Sequence, residues 1–124
     1  MGLFGNKKKE REQEYMNALN VPECLKQNFK MTIEDVFLIV GIGTVATGTV
    51  DSGMCRTGES VSIYTQDAIL NSAITSIDIH IKERKPNGAA YRSEHVGIGL
   101  RGIQKEQLHK GDKIIINNGN TYSM

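Results

Sequence analysis

Apolar and polar residues alternate with a period of two along most of the chain after residue 28. Phe29, Met31 and Ile33 are each followed by a polar or charged residue. Similar short apolar runs recur at residues 61–63, 77–82, 96–100 and 114–116. A period of two is typical of strands that place one face on a core and the other toward solvent. The pattern predicts about six short strands and an all-β domain, with turns at the intervening glycine, proline and asparagine residues.

Two of these strands have an unusual second face. Residues 77–82 place three isoleucines on one face and Asp78, His80 and Lys82 on the other. Residues 96–101 place apolar side chains on one face and Gly97 and Gly99 on the other. Glycine in a strand leaves room for another group to approach the backbone. We therefore expect close contact with something on the glycine side.

The first 28 residues differ from the rest. Lysine, arginine and glutamate are mixed over residues 7–14, which favours a short helix with a solvated face. The pair Val21 and Pro22 ends that helix and opens a further helical turn. Two alternatives remain open for the helix, because its apolar residues either pack on the domain or belong to a free tail. We divide the chain into an N-terminal extension at 1–28, a β-barrel at 29–118 and a C-terminal tail at 119–124.

A glycine-rich stretch at residues 33–53 admits two interpretations. Residues 41–46 fit the pattern G-x-G-x-x-A of a dinucleotide-binding loop. Such a loop must open a helix, whereas residues 44–50 are mostly β-branched and contain Gly48, which suits a strand. No Gly-Lys-Ser or Gly-Lys-Thr follows, so a phosphate-binding loop is also excluded. The stretch is predicted to be a hairpin, and no nucleotide is expected.

Length and charge restrict the function classes. The chain has 124 residues and a formal net charge of +1, so one domain is expected, with no global attraction to nucleic acid or membrane. Cys24 and Cys55 are expected to be free thiols, although a disulfide remains possible if they meet. No apolar segment is long enough to span a membrane, and no signal peptide is evident, so a cytoplasmic protein is expected.

Three blocks of sequence resemble the second domain of the translational GTPases, elongation factor Tu in particular. The blocks are residues 29–53, 56–63 and 94–112, and the resemblance runs over about residues 29–116. It implies a closed six-stranded antiparallel Greek-key barrel, which agrees with the strand count from the hydrophobic pattern. Residues 1–28 leave no room for a GTPase domain before it, so we expect a barrel without that domain.

The same resemblance implies a binding role rather than catalysis. In elongation factor Tu this domain helps to hold the aminoacyl-acceptor end of transfer RNA, and it packs against the GTPase domain. Glu34, Asp35 and Phe37 match the acidic and aromatic residues of that family's aminoacyl pocket. Ile42 stands where the family usually has an arginine, and His95 replaces an asparagine of the pocket. His80 and Ile81 likewise replace an aromatic-arginine pair.

The candidate binding surface combines these residues with a basic loop. Lys82, Arg84 and Lys85, together with Arg92, flank a predicted turn at residues 86–88 and are expected to lie near His80. Basic loops next to a strand face can follow a phosphate backbone. The candidate residues for RNA or ligand binding are Glu34, Asp35, Phe37, Gly41, Gly43, Asp78, His80, Lys82, Arg84, Lys85, His95 and Arg101.

Two functions remain open, and both are non-catalytic. One is an RNA- or ribosome-associated binding module, and the other is a protein-interaction adaptor that has lost transfer-RNA binding. The sequence has no catalytic triad spacing, no paired-carboxylate pocket and no metal-ligand pattern among its three histidines. We therefore expect no enzyme, no cofactor and no metal. The oligomeric state is left open.

Overall fold

The computed structural model describes residues 3–79, 84 and 87–119, with side chains from residue 10 onward. The chain begins with two helices and continues almost entirely as strands. The helices are α1 (Leu3–Leu19) and α2 (Val21–Cys24). The strands are β1 (Phe29–Thr32), β2 (Asp35–Ile39), β3 (Gly43–Ser52), β4 (Met54–Arg56), β5 (Ser60–Tyr64), β6 (Ile69–Ile79), β7 (Ala89–Tyr91), β8 (His95–Leu100) and β9 (Lys113–Ile116). A 3-10 turn at Lys105–Gln107 lies between β8 and β9.

Six of the strands close into an antiparallel barrel. The hydrogen-bonded order is β1-β9-β5-β6-β8-β3, and β3 pairs with β1 to complete the circle. Neighbours in space are often distant in sequence, as in β9 between β1 and β5, which is the Greek-key connection. The predicted fold class is therefore confirmed. β2 lies outside the circle as an extra strand on β3.

Two long strands make the closure possible because each changes partner along its length. The first half of β3 pairs with β2 and its second half with β1, while β8 pairs with its other edge. A Cβ atom at Gly48, near the change of partner, would collide with the backbone oxygen of Thr32. β6 has an irregularity between Ile74 and Ser76 as it moves from β5 to β8. Such bulges bend a strand and increase its twist.

The barrel interior holds the apolar residues of the period-two pattern. Phe29, Met31, Ile33, Ile98 and Ile114 have no exposed surface. The alternation therefore predicted which face of these strands is inward. The interpretation of residues 33–53 as a hairpin is also confirmed, because β3 follows the glycines where a nucleotide loop would require a helix.

A second, smaller apolar cluster joins the N-terminal helices to the barrel. Its buried members are Leu19, Cys24, Met54, Ala89 and Tyr91, and Tyr15 and Met16 pack against them. Three of these residues lie on the ribbon of β4 and β7, a strand pair that the sequence did not predict. The last turns of α1 are thus packed on the domain. Cys24 and Cys55 are both free and buried, so they form no disulfide. Among the described residues, no helix is long and apolar enough to cross a membrane.

Candidate functional site

Four adjacent strands, in the order β2-β3-β8-β6, form the part of the barrel surface that carries most of the predicted site. The backbone register pairs Asp35 with Thr47, Thr47 with Gly97, and Gly97 with Asp78. Residues directly opposite each other on neighbouring strands share one face of a sheet. Asp35 and Asp78 therefore lie on the same outer face, separated by two strands.

The next row on this face is mainly apolar. Phe37 pairs with Val45, Val45 with Gly99, and Gly99 with Ser76. The Phe37 side chain is 49% exposed, whereas Val45 is buried although it points outward. Val45 lies close to Gly97, where an added Cβ atom would be 3.1 Å from its Cγ1. The result is an exposed aromatic ring beside an apolar floor.

The two strand glycines on this face are approached by side chains of the chain itself. A Cβ atom at Gly97 would lie 3.1 Å from Cγ1 of Val45, and one at Gly99 would lie 2.5 Å from Oγ of Ser76. Ile42 and Thr75 also crowd Gly99. The close approach that the glycines predicted is therefore made by neighbouring strands and the hairpin.

Glu34 and His95 meet at the end of this face. Nε2 of His95 lies 3.1 Å from Oε2 of Glu34, and both side chains are about half exposed. The contact follows from the fold, because the backbone of Glu34 donates to Thr47 and His95 pairs with Thr49 on the same strand. We name the surface formed by Glu34, Asp35, Phe37, Asp78 and His95 the acidic face. Among the described residues this surface carries three carboxylates and one imidazole, and the imidazole lies against Glu34.

The turn between β2 and β3 is built from glycines in a left-handed conformation. Gly41 has φ of 87° and Gly43 has φ of 99°, and the backbone N–H of Ile42 donates to the carbonyl of Ile39 at 3.0 Å. A Cβ atom at either glycine would meet nothing within 4 Å. These glycines are therefore required by backbone conformation rather than by the approach of a ligand.

The hairpin exposes a continuous run of large apolar side chains. The exposed fractions are 49% for Phe37, 71% for Leu38, 41% for Ile39, 100% for Val40 and 48% for Ile42. We name residues 37–42 the apolar hairpin. The apolar residues of this run can be read from the sequence. Their spacing, however, does not reveal that both faces of the strand are open to solvent. Sequence reasoning placed Phe37 in a pocket and missed the surface as a whole.

A cleft separates the apolar hairpin from the corner that follows β8. Leu38 and Ile42 line one side, and Arg101 and Lys105 line the other. The hydroxyl of Thr44 donates to the carbonyl of Ile103 at 2.6 Å and fixes the base of the hairpin on this corner. Arg101 therefore lies beside the hairpin and at the margin of the predicted site.

Arg84 occupies a different place from the exposed loop position that the sequence suggested. Its side chain is buried, with Nε 2.7 Å from Oε2 of Glu94 and a hydrogen bond from Nη2 to the carbonyl of Ala89 at 2.8 Å. The guanidinium also lies 4.9 Å from the centre of the Tyr91 ring. A cation with these contacts is part of the interior, so it presents no charge to a phosphate. The side chain of Tyr91 is buried too.

Glu94 is the acceptor on which this interior arrangement depends. Its carboxylate accepts hydrogen bonds from the Tyr15 hydroxyl at 3.0 Å and from the backbone N–H of Tyr91 at 2.8 Å. Neither the hydrophobic pattern nor the charge pattern identified this buried glutamate. His80, Lys82 and Lys85 lie outside the described residues. Within the described ranges, no cluster of three histidine, cysteine or acidic side chains is arranged to hold a metal ion.

Comparison with known proteins supports the resemblance seen in the sequence. No family model matches the chain. The chain is 35% identical over 100 residues to a protein named elongation factor 1-alpha from Halobacterium salinarum. This match covers 80% of the chain but only 23% of the relative. The chain thus spans less than a quarter of the length of the curated relative that it matches.

Proposed function

We propose that this barrel, which is of the elongation factor Tu domain 2 type, is a non-catalytic RNA-binding module that works with the translation apparatus in the cytoplasm. The coarser part of this statement, a translation-factor-like barrel, follows from the fold and from the similarity to elongation factor 1-alpha. The RNA ligand and the lack of catalysis are the proposal. The proposed contact surface is the acidic face.

The observation that carries the proposal is the position of Phe37. Its ring is half exposed beside the apolar floor at Val45 and Gly99, with Asp35 and Asp78 in the adjacent row. Unpaired RNA bases are bound by stacking on aromatic rings and by hydrogen bonds to their edges. Carboxylates accept hydrogen bonds from base amino groups and from ribose hydroxyls. The face therefore offers one stacking platform with acceptors next to it.

The same surface is poor in phosphate contacts. Ile42 takes the place of the family's arginine, and Arg84 is paired with Glu94 in the interior. Each phosphate contact contributes about −0.7 to the slope of log K against log salt for a single strand. Binding through stacking and base edges should therefore show a shallow slope, corresponding to about one or two phosphates.

The test is a fluorescence anisotropy titration of the full chain with labelled transfer RNA at several salt concentrations. Phe37→Ala should weaken binding about 5- to 150-fold, because stacking on one base contributes about 1–3 kcal/mol. Tyr64→Ala is the matched control, since Tyr64 is an exposed strand aromatic on β5, away from the acidic face. Absence of binding at low ionic strength, or equal losses in both variants, would contradict the proposal.

A protein-binding adaptor is the second candidate, and the charge of the acidic face favours it. Glu34, Asp35 and Asp78 repel phosphates but attract a basic protein surface. If this is the function, a photo-crosslinker at position 78 should capture one protein from the native extract. The amount of captured protein should fall in the Asp35→Asn variant. Transfer RNA should bind neither the wild-type chain nor this variant at low ionic strength. Recovery of RNA alone would exclude the adaptor.

A further inference from the structure

The apolar hairpin is an exposed surface that the proposed RNA contact does not use in full. Phe37 is part of the acidic face, but Leu38 and Val40 are more exposed than Phe37 and belong to no part of it. The other exposed apolar side chains have a local explanation. Tyr64 and Ile69 are directly paired across β5 and β6 and cover each other in part. Nothing comparable covers the hairpin among the described residues.

β2 is also the free edge of the sheet. It pairs with β3 in continuous register, and it has no other strand partner within the described ranges. Soluble proteins protect such edges with lysine, proline or a bulge. β2 has none of these, and its single charge, Asp35, is its first residue. An unprotected apolar edge is a surface on which another strand adds.

We propose that the occupant of this edge is β2 of a second copy of the chain, paired antiparallel in a two-fold symmetric dimer. The side chains of β2 are complementary to themselves. With the two-fold axis at Leu38, Phe37 lies opposite Ile39 of the second copy. Val36 then lies opposite Val40, the first residue after β2. Every pair in the centre of the ladder is then apolar, and such cross-strand pairs stabilise a sheet.

Charge supports the same arrangement. The acidic end of the strand, at Glu34 and Asp35, is placed opposite the turn end of the second copy, where Ile42 lies. Ile42 borders a cleft that is also lined by Arg101 and Lys105. The carboxylates of one copy therefore approach these two basic side chains of the other copy. The two Asp35 residues are about 20 Å apart in this register, at about 3.3 Å per residue. Salt screens charges at that separation, so they contribute little repulsion.

The barrel geometry limits the assembly to two copies. The six barrel strands form a closed circle, and in the described structure β2 is an end strand that is hydrogen-bonded along one edge only. A two-fold contact uses the same patch on both partners. Pairing of β2 with itself consumes its free edge in both copies. The assembly is therefore a closed dimer rather than a fibre.

The first test is analytical ultracentrifugation of the full chain from about 1 µM to about 1 mM, the range of weak association. We expect a reversible dimer. Leu38→Lys, which adds a charge to the edge, should raise the dissociation constant at least about tenfold. Ile69→Lys is the control, because Ile69 is a similarly exposed strand residue on β6. A monomer at every concentration overturns the proposal, and so does a dimer that Leu38→Lys leaves unchanged.

The second test fixes the register without depending on affinity. Leu38→Cys places two thiols at the two-fold axis and should give a covalent dimer on mild oxidation. The native Cys24 and Cys55 are buried and should not compete. Asp35→Cys and Ile69→Cys are the matched controls and should give much less covalent dimer. Efficient crosslinking only in one of the controls overturns the arrangement.

The two tests also separate this dimer from other occupants of the hairpin. A monomer that binds phospholipid vesicles, or that binds RNA and loses it in Leu38→Lys, would assign the hairpin to a membrane or to RNA instead. The dimer stands apart from the proposed function. A wild-type chain that dimerises but binds no transfer RNA contradicts the proposed function alone. A wild-type chain that binds transfer RNA but stays monomeric contradicts the dimer alone.

Discussion

The buried pair of Arg84 and Glu94 shows how a single residue acquires a role that its neighbours in sequence do not suggest. Arg84 stands in a basic segment, where a solvated side chain is the usual expectation. In the folded chain it lies against Glu94 and Tyr91 under the ribbon of β4 and β7. Burying one charge is costly, whereas burying a hydrogen-bonded pair is tolerated. Each partner therefore depends on the other.

Removal of the arginine should reveal that dependence. Arg84→Ala leaves the Glu94 carboxylate buried without its cation and should lower the free energy of unfolding by about 3–5 kcal/mol. Arg101→Ala, at an exposed position, is the control and should change it by less than about 0.5 kcal/mol. Urea denaturation followed by circular dichroism measures both. Equal stability of the two variants would mean that the buried pair contributes little.

At the scale of elements, the hairpin of β2 and β3 combines two kinds of glycine. Gly41 is in open space but has a left-handed backbone, whereas Gly48 has an ordinary backbone and no space for a side chain. The first determines the turn, and the second allows β3 to approach β1. The spacing of these glycines in the sequence is compatible with either role. Only the paired strands distinguish them.

The two roles predict different costs for the same substitution. Gly41→Ala introduces strain at a positive φ and should destabilise the fold by about 1 kcal/mol. Gly48→Ala forces a methyl group against the backbone of Thr32, which cannot move without breaking the ladder, and should cost about 3 kcal/mol. Thermal unfolding of the two variants in parallel compares them. A smaller cost for Gly48→Ala would contradict the close approach of β1 and β3.

At the scale of the whole molecule, two clusters hold the chain together. The barrel core contains Cys55. The second cluster contains Leu19 of α1 and Met54 of β4, so it joins the helix to the strands. The hydrogen bond from Tyr15 to Glu94 ties α1 to the start of β8. The N-terminal extension is therefore packed on the barrel through its last turns. The sequence had left open whether these residues pack or form a free tail.

The buried thiol makes the stability of the whole molecule depend on pH. Burial of Cys55, followed by the nearby charge of Glu59, raises the pKa of its thiol well above the ordinary value of about 8.5. The folded state therefore keeps a proton that the unfolded state loses. This contribution is fully present below about pH 8.5 and is lost as the pH rises above it.

Urea denaturation at a series of pH values measures the effect. Between about pH 8.5 and 9.5 the wild-type chain should lose up to about 1 kcal/mol more than Cys55→Ala. The two proteins are compared by the slope of the free energy of unfolding against pH, because the alanine variant also loses packing. Identical slopes for the two proteins would show that Cys55 ionises as readily in the folded state as in the unfolded state.

The sequence by itself determined the class of fold and the inward face of the strands. Phe29, Met31 and Ile33 alternate with polar residues, and an extended backbone sends alternate side chains to opposite faces whatever the partner strands are. The sequence also determined that residues 44–50 form a strand, because β-branched residues disfavour the helix that a nucleotide loop needs. These are local properties of the chain, so they are readable without the fold.

The tertiary structure alone decided which residues come together and which are exposed. It brought Glu34 to His95 across β3, and Tyr15 to Glu94 across most of the chain. It also buried Arg84 and left Leu38 open to solvent. Exposure depends on what packs against a residue, and that is set by strand order and closure rather than by local pattern. The apolar hairpin could therefore be found only once β2 was seen to lie outside the closed barrel.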